Sequence, residues 1–177
     1  QGNLVLKFKY EAIDDDIMTS VGYTTQDDTY YPSSLAKELG YIYSDSNGID
    51  ATITINKNTK WDCGFSSEVS VDGYNLTNAL LRSIAISLGF GSSVIEKKMK
   101  KNSVVKFSQS IGHSVFDNLV FSDKNIYLRD IPNMGSRHNQ ALVDFSTGVN
   151  GQVWVLNKTQ SYKLYVPTIF EKGKSLV

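Results

Sequence analysis

Cysteine, histidine and proline are scarce in this chain, and it carries no excess of charge. The single cysteine, Cys63, permits no internal disulfide and no thiolate metal cluster. The chain has 18 Lys+Arg against 18 Asp+Glu, so it lacks the basic field that nucleic-acid binding needs. No apolar run reaches membrane-spanning length. The opening residues show no charged segment followed by an apolar one, so any signal peptide would already have been removed. At 177 residues the chain is long enough for one core and short for two domains. With no linker-like stretch in view, a single domain over 1–177 is expected. What is plentiful is tyrosine, with 10 residues, together with Ser, Thr and Asn. That balance suits an extracytoplasmic, sheet-containing protein.

The first half of the chain alternates between strand and helix signatures. Residues 4–10 place Leu4, Leu6, Phe8 and Tyr10 against Lys7 and Lys9, a period-two strand pattern. Asp14-Asp15-Asp16 offers hard oxygen ligands of the kind calcium takes. Its spacing is not that of a calcium loop, so a solvated turn or helix start is expected. Residues 24–32 read as a polar, aromatic surface loop. Ser33 or Ser34 is placed to cap a short helix over 35–39 that Gly40 ends. Asn47-Gly48 is a turn signal. Residues 49–55 set Ile49, Ala51, Ile53 and Ile55 against Asp50, Thr52 and Thr54. This predicts a strand near a sheet edge, because one face is polar.

Asn75 suits a helix N-cap. From 76 to 88 the chain is apolar nearly all round, with Leu76, Ala79, Leu80, Leu81, Ile84, Ala85, Ile86 and Leu88. That pattern predicts a buried central helix, stopped at Gly89. Arg82 is its one charge and must reach a carboxylate, backbone carbonyls or a cleft. The basic run 96–101 reads as a solvated loop. Beyond it, strand-like patches cover 104–107 and 115–121, a turn 122–125, and a helix 140–145. Paired strands are expected over 151–156 and 162–166. The organisation is α+β, with no internal repeat.

Four segments carry a family resemblance. They are Tyr31-Pro32-Ser33-Ser34-Leu35-Ala36; Asp50-Ala51-Thr52-Ile53-Thr54-Ile55-Asn56 with Trp61; Tyr74 through Phe90; and Lys163-Leu164-Tyr165-Val166-Pro167 through Gly173-Lys174-Ser175-Leu176. Together the chain resembles the metzincin-type zinc metalloproteases, particularly secreted bacterial members related to leishmanolysin. The resemblance implies a metzincin-like N-terminal subdomain: a mixed, twisted sheet with a polar edge strand, packed on two helices. The helix over about 76–88 would be the active-site helix. In the family a third His and a methionine turn would follow at about Val177, so the resemblance implies either that the chain is truncated there or that the far wall of the site is absent.

In that family the helix reads His-Glu-x-x-His. Two histidines four apart bind zinc, and the Glu activates water. Here those positions are Arg82, Ser83 and Ile86. A guanidinium stays protonated and cannot ligate zinc, an unactivated hydroxyl is no general base, and Ile86 has no donor atom. No zinc and no other cofactor is therefore expected. Arg82 is expected to be a structural residue paired with a carboxylate; the compatible alternative is that its fixed charge stands in the cleft where the family holds its metal.

Other routes to chemistry are thin. His113 and His138 are isolated. Ser114, His113 and Asp117 hold the residue types of a triad, but no nucleophile elbow accompanies them. Nothing beside Cys63 would activate its thiol, so a buried or inert role is expected. Gly89-Phe90-Gly91-Ser92-Ser93 follows a helix, whereas phosphate loops precede one. The reading is a catalytically inactive, pseudoprotease-like domain with a binding or structural role in a secreted or cell-surface protein. The partner would be a protein or a glycan, not nucleic acid, and the chain would not span a membrane. Aromatic residues Tyr23, Tyr30, Tyr31, Trp61 and Tyr74, with Arg82, are the candidate contact residues. The rival readings are an active zinc endopeptidase using non-standard ligands or regions outside this chain, and an adhesin or assembly module.

Overall fold

A computed structural model of the chain describes residues 3–41, 48–64, 74–98, 103–108, 112–134, 138–148, 152–157 and 160–164. Among the described residues the architecture is α+β: several small sheets and three α-helices. The chain sorts into two compact units, Gln1–Thr24 with Tyr31–Phe90, and Thr25–Tyr30 with Gly91–Val177.

The first unit is built on a three-stranded mixed sheet. Strand β1 (Leu6–Glu11) runs parallel to β5 (Ala51–Asn56), and β2 (Ile17–Val21) runs antiparallel to β5 on its other side. The polar-faced strand β5 is thus central, not at the edge as its Thr residues suggest. Its last residue, Asn56, is compatible with that place because its side chain is satisfied there. Asn56 donates to the carbonyls of Ile13 and Asp15 at 2.8 and 3.0 Å, and its side-chain oxygen takes the Asn58 N–H at 2.9 Å. The Asp14–Asp16 run is the turn tied down by these bonds, and Asp16 accepts from Thr59 Oγ1 at 2.9 Å.

Strands β3 (Tyr23–Gln26) and β4 (Thr29–Pro32) form a hairpin where a loop was expected. Its two turn residues, Asp27 and Asp28, take φ of 48° and 57°. Two-residue hairpin turns want that conformation, and Asp tolerates it better than most residues. Helix α1 (Ser33–Glu38) then has Pro32 at its N-cap position, earlier than the serines suggested. Neither serine caps it. Ser34 instead donates to the Ser87 carbonyl at 2.6 Å, and Ser33 is buried beneath Gly22. Gly40, at φ 74°, lies just past the helix end as expected.

Short strands β6 (Trp61–Asp62) and β7 (Tyr74–Asn75) pair in parallel and lead into α2 (Leu76–Ser87). Asn75 caps this helix, accepting from the Asn78 N–H at 2.8 Å. The expected boundaries hold, but the expected all-round burial does not. The buried residues of α2 are Ser83 and Ser87, whereas Leu81 is 60% and Leu88 43% exposed. Ser83 and Ser87, four apart on one face, turn inward, and Ala79 one turn before them is half-buried. Gly89, at φ 105°, closes it against Leu35 and Pro32 of the α1 start.

The second unit holds a buried apolar cluster, while Ala36, Ala51 and Ile53 are buried in the first. Strands β8 (Val94–Lys98) and β9 (Ser103–Phe107) form an antiparallel hairpin that begins the basic run, while residues 99–101 of the run lie outside the described residues. Strand β10 (His113–Ser114) pairs in parallel with Thr29 and Tyr30. A 3-10 turn (Asp117–Leu119) precedes β11 (Val120–Ser122), so the expected strand over 115–121 survives only at its end. Helix α3 (Gln140–Ser146) and the antiparallel pair β12 (Val153–Asn157) and β13 (Gln160–Lys163) follow close to expectation. The buried cluster is Val105, Phe107, Phe116, Val120, Leu128, Ile131, Leu142, Phe145 and Val153. The fourth resemblance segment lies, after Leu164, outside the described residues.

Candidate functional site

Helix α2 carries Arg82, Ser83 and Ile86, the residues compared above with the ligand positions of a zinc helix. Ser83 is 2% exposed, and its hydroxyl donates to the Ala79 carbonyl at 2.9 Å. One turn on, Ser87 is fully buried and donates to the Ser83 carbonyl at 2.8 Å. Both hydroxyls are thus consumed by the helix that bears them. Arg82 is partly buried, and loss of water around its guanidinium lowers its pKa from the ordinary value. Ile86 is partly buried and offers no donor atom. These residues do not fit a zinc ion. A cation, a back-bonded hydroxyl and a hydrocarbon supply no ligand set. Among the described residues, no group of three or more His, Cys, Asp and Glu is placed to hold a metal.

The candidate aromatic residues divide into pairs. Trp61 and Tyr74 meet edge to face, with centroids 6.4 Å apart, because β6 and β7 put them in register. Trp61 is held by its indole N–H on the Asn56 carbonyl at 2.8 Å, while Tyr74 is 59% exposed. Tyr31 packs edge to face on Tyr41 at 5.1 Å. Tyr30 lies in the second unit, where its carbonyl takes the Val115 N–H. Tyr23 is 48% exposed. The structure therefore joins Trp61 and Tyr74 at the start of α2. Tyr74, Leu81 and Leu88 are spaced seven apart, and all three are exposed.

The triad residues are placed for packing instead. Asp117 is fully buried, and its carboxylate accepts from the hydroxyls of Ser92 and Ser93 and the N–H groups of Ser93 and Ser114. Ser114 returns the contact by accepting the Asp117 N–H at 3.1 Å. His113 takes no part: its ring stands edge-on to Phe107 at 4.5 Å, and its buried Nδ1 has no hydrogen-bond partner among the described residues. His138 accepts the Val105 N–H at Nδ1 and lies near Gln140 at Nε2. Cys63 is exposed, contrary to a buried role, because it sits at the end of β6 where the chain leaves the sheet.

Sequence reasoning did not anticipate this Asp117 knot or the Lys37–Asp50 pair. In the latter, Asp50 is completely buried and takes Lys37 Nζ at 2.6 Å and the Val5 N–H at 2.9 Å. The Ser92-Ser93 pair was visible only as part of a glycine- and serine-rich stretch. Compared with known proteins, the chain matches no family model, no curated protein and no solved structure.

Proposed function

We propose that this chain is a catalytically inactive, metzincin-like domain with a binding or structural role in a secreted or cell-surface protein. One observation carries the reading: α2 turns Ser83 and Ser87 inward, with both hydroxyls bonded to its own carbonyls, and leaves Leu81 and Leu88 exposed beyond Tyr74. A helix arranged in this way offers apolar contact area instead of a nucleophile, base or ligand. Exposed apolar residues clustered on one face are the usual mark of an interaction surface. Tyr74, braced by Trp61, adds rigid area with a polar tip. Among the described residues, no helix is long and apolar enough to cross a membrane.

The test is elemental analysis of the purified protein together with a peptidase assay before and after chelation. The expected outcome is no stoichiometric zinc and no chelator-sensitive proteolysis. Zinc at one equivalent, with cleavage lost on chelation and restored by the metal, would overturn the proposal.

A further inference from the structure

Strand β1 is the outer strand of the first unit's sheet: β5 lies on one side, and no described residue pairs with the other. From Lys7 to Glu11 every residue is exposed, including Phe8 at 54% and Tyr10 at 67%. The parallel ladder fixes which backbone groups are available. The carbonyls of Val5 and Glu11 accept from Ala51 and Lys57, so odd-numbered residues bond toward β5. Alternation then turns the N–H and C=O groups of Leu6, Phe8 and Tyr10 outward.

An unsatisfied edge of this kind is a template for another strand. An antiparallel partner must set outward-facing residues opposite one another, and opposed residues share a face. A second copy of β1 meets both conditions in four registers, of which two oppose five residues of each strand and the others only three. Centred on Phe8, the pairing opposes Lys7 to Lys9 twice, like charge against like. Centred on Lys9, it opposes Phe8 to Tyr10 twice and Lys7 to Glu11 twice, against one Lys9–Lys9 contact on the axis. Cross-strand aromatic pairs and opposite charges both stabilise a sheet. The charges therefore select the second register.

We propose that β1 is a self-association edge. Two copies pair antiparallel about a two-fold axis at Lys9 and join their sheets into one. The interface is isologous, since each strand supplies both halves of every pair. Lys7 and Lys9 would repel most incoming strands, as edge lysines generally do. Glu11 makes this strand acceptable to itself, which gives selectivity without a pocket. The surface is distinct from the α2 face and stands independently of the reading above.

Sedimentation equilibrium over a concentration series reads the association directly. The expected result is a monomer–dimer equilibrium weakened about ten-fold or more by Lys7→Glu or by Glu11→Lys, because each opposes like charges twice. Combining the two substitutions restores opposite charges and should restore dimerisation. Lys9 opposes itself at a non-hydrogen-bonded position, where Cα atoms approach to about 4.5 Å, within disulfide reach. In a Cys63→Ser background, Lys9→Cys should therefore cross-link two chains on mild oxidation, whereas Lys7→Cys should not. A monomer at every concentration, a dimer indifferent to the charge swaps, or a dimer that Lys9→Cys fails to cross-link would each overturn the proposal.

Discussion

Asp50 and Asp117 are both completely buried carboxylates, and the fold satisfies them by different means. Asp50 has a cation, Lys37, and one backbone N–H. Asp117 has two hydroxyls and two backbone N–H groups. Removing one partner of a buried ion pair leaves the other charge unpaired, so Lys37→Met should cost about 2–3 kcal/mol, discounted because the lysine is partly exposed. Asp117→Ala would orphan two hydroxyls and two N–H groups in the core, for a loss of about 3 kcal/mol or more. Chemical denaturation midpoints check both. Asp123 adds a pH dependence. The indole N–H of Trp154, the Gln152 N–H and Lys163 hold its carboxyl below the ordinary range. A lowered folded pKa gives stability that is fully present above the unfolded value, about 3.9, and lost as pH falls through the folded value beneath it. The stability difference between the native chain and Asp123→Asn should therefore be constant near neutrality and shrink below about pH 4. Thermal melts across that window test it.

At the scale of elements, α2 shows what a linear pattern does and does not carry. Its N-cap at Asn75 and its stop at Gly89 were legible, because capping and positive φ are local demands. Its orientation was not. Leu81 and Leu88 argued for burial on every side, yet Ser83 and Ser87 turn inward, since small residues let the helix come close to its neighbours. Ser83→Leu should overpack that face at a cost of about 1–3 kcal/mol, whereas Leu81→Gln, on the exposed face, should change stability by no more than about 0.5 kcal/mol. Paired urea titrations distinguish these outcomes. Strand β5 teaches the same lesson. Its alternation was plain, but its central place depended on Asn56 finding the Ile13 and Asp15 carbonyls, a pairing too distant in sequence to read. The β3–β4 hairpin was missed because Asp27-Asp28 lacks the glycine that usually announces such a turn.

At the scale of the molecule, the α+β organisation was readable, but a buried apolar cluster lies away from the strongest patterns. It belongs to the less regular second half, assembled from short pieces such as Leu128, Leu142 and Val153. Zero net charge likewise conceals a division. Acidic residues outnumber basic ones in the first unit, and the reverse holds in the second. Under the proposed resemblance, Arg82, Ser83 and Ile86 stand where a zinc helix would have His, Glu and His. The central claim is that this helix binds no catalytic metal. Thermal unfolding with and without saturating zinc, after exhaustive chelation, tests it most directly, because a ligand that binds the folded state raises its melting temperature. The account predicts superimposable melting curves. A zinc-dependent rise that is abolished by Arg82→Ala or Ser83→Ala would contradict it.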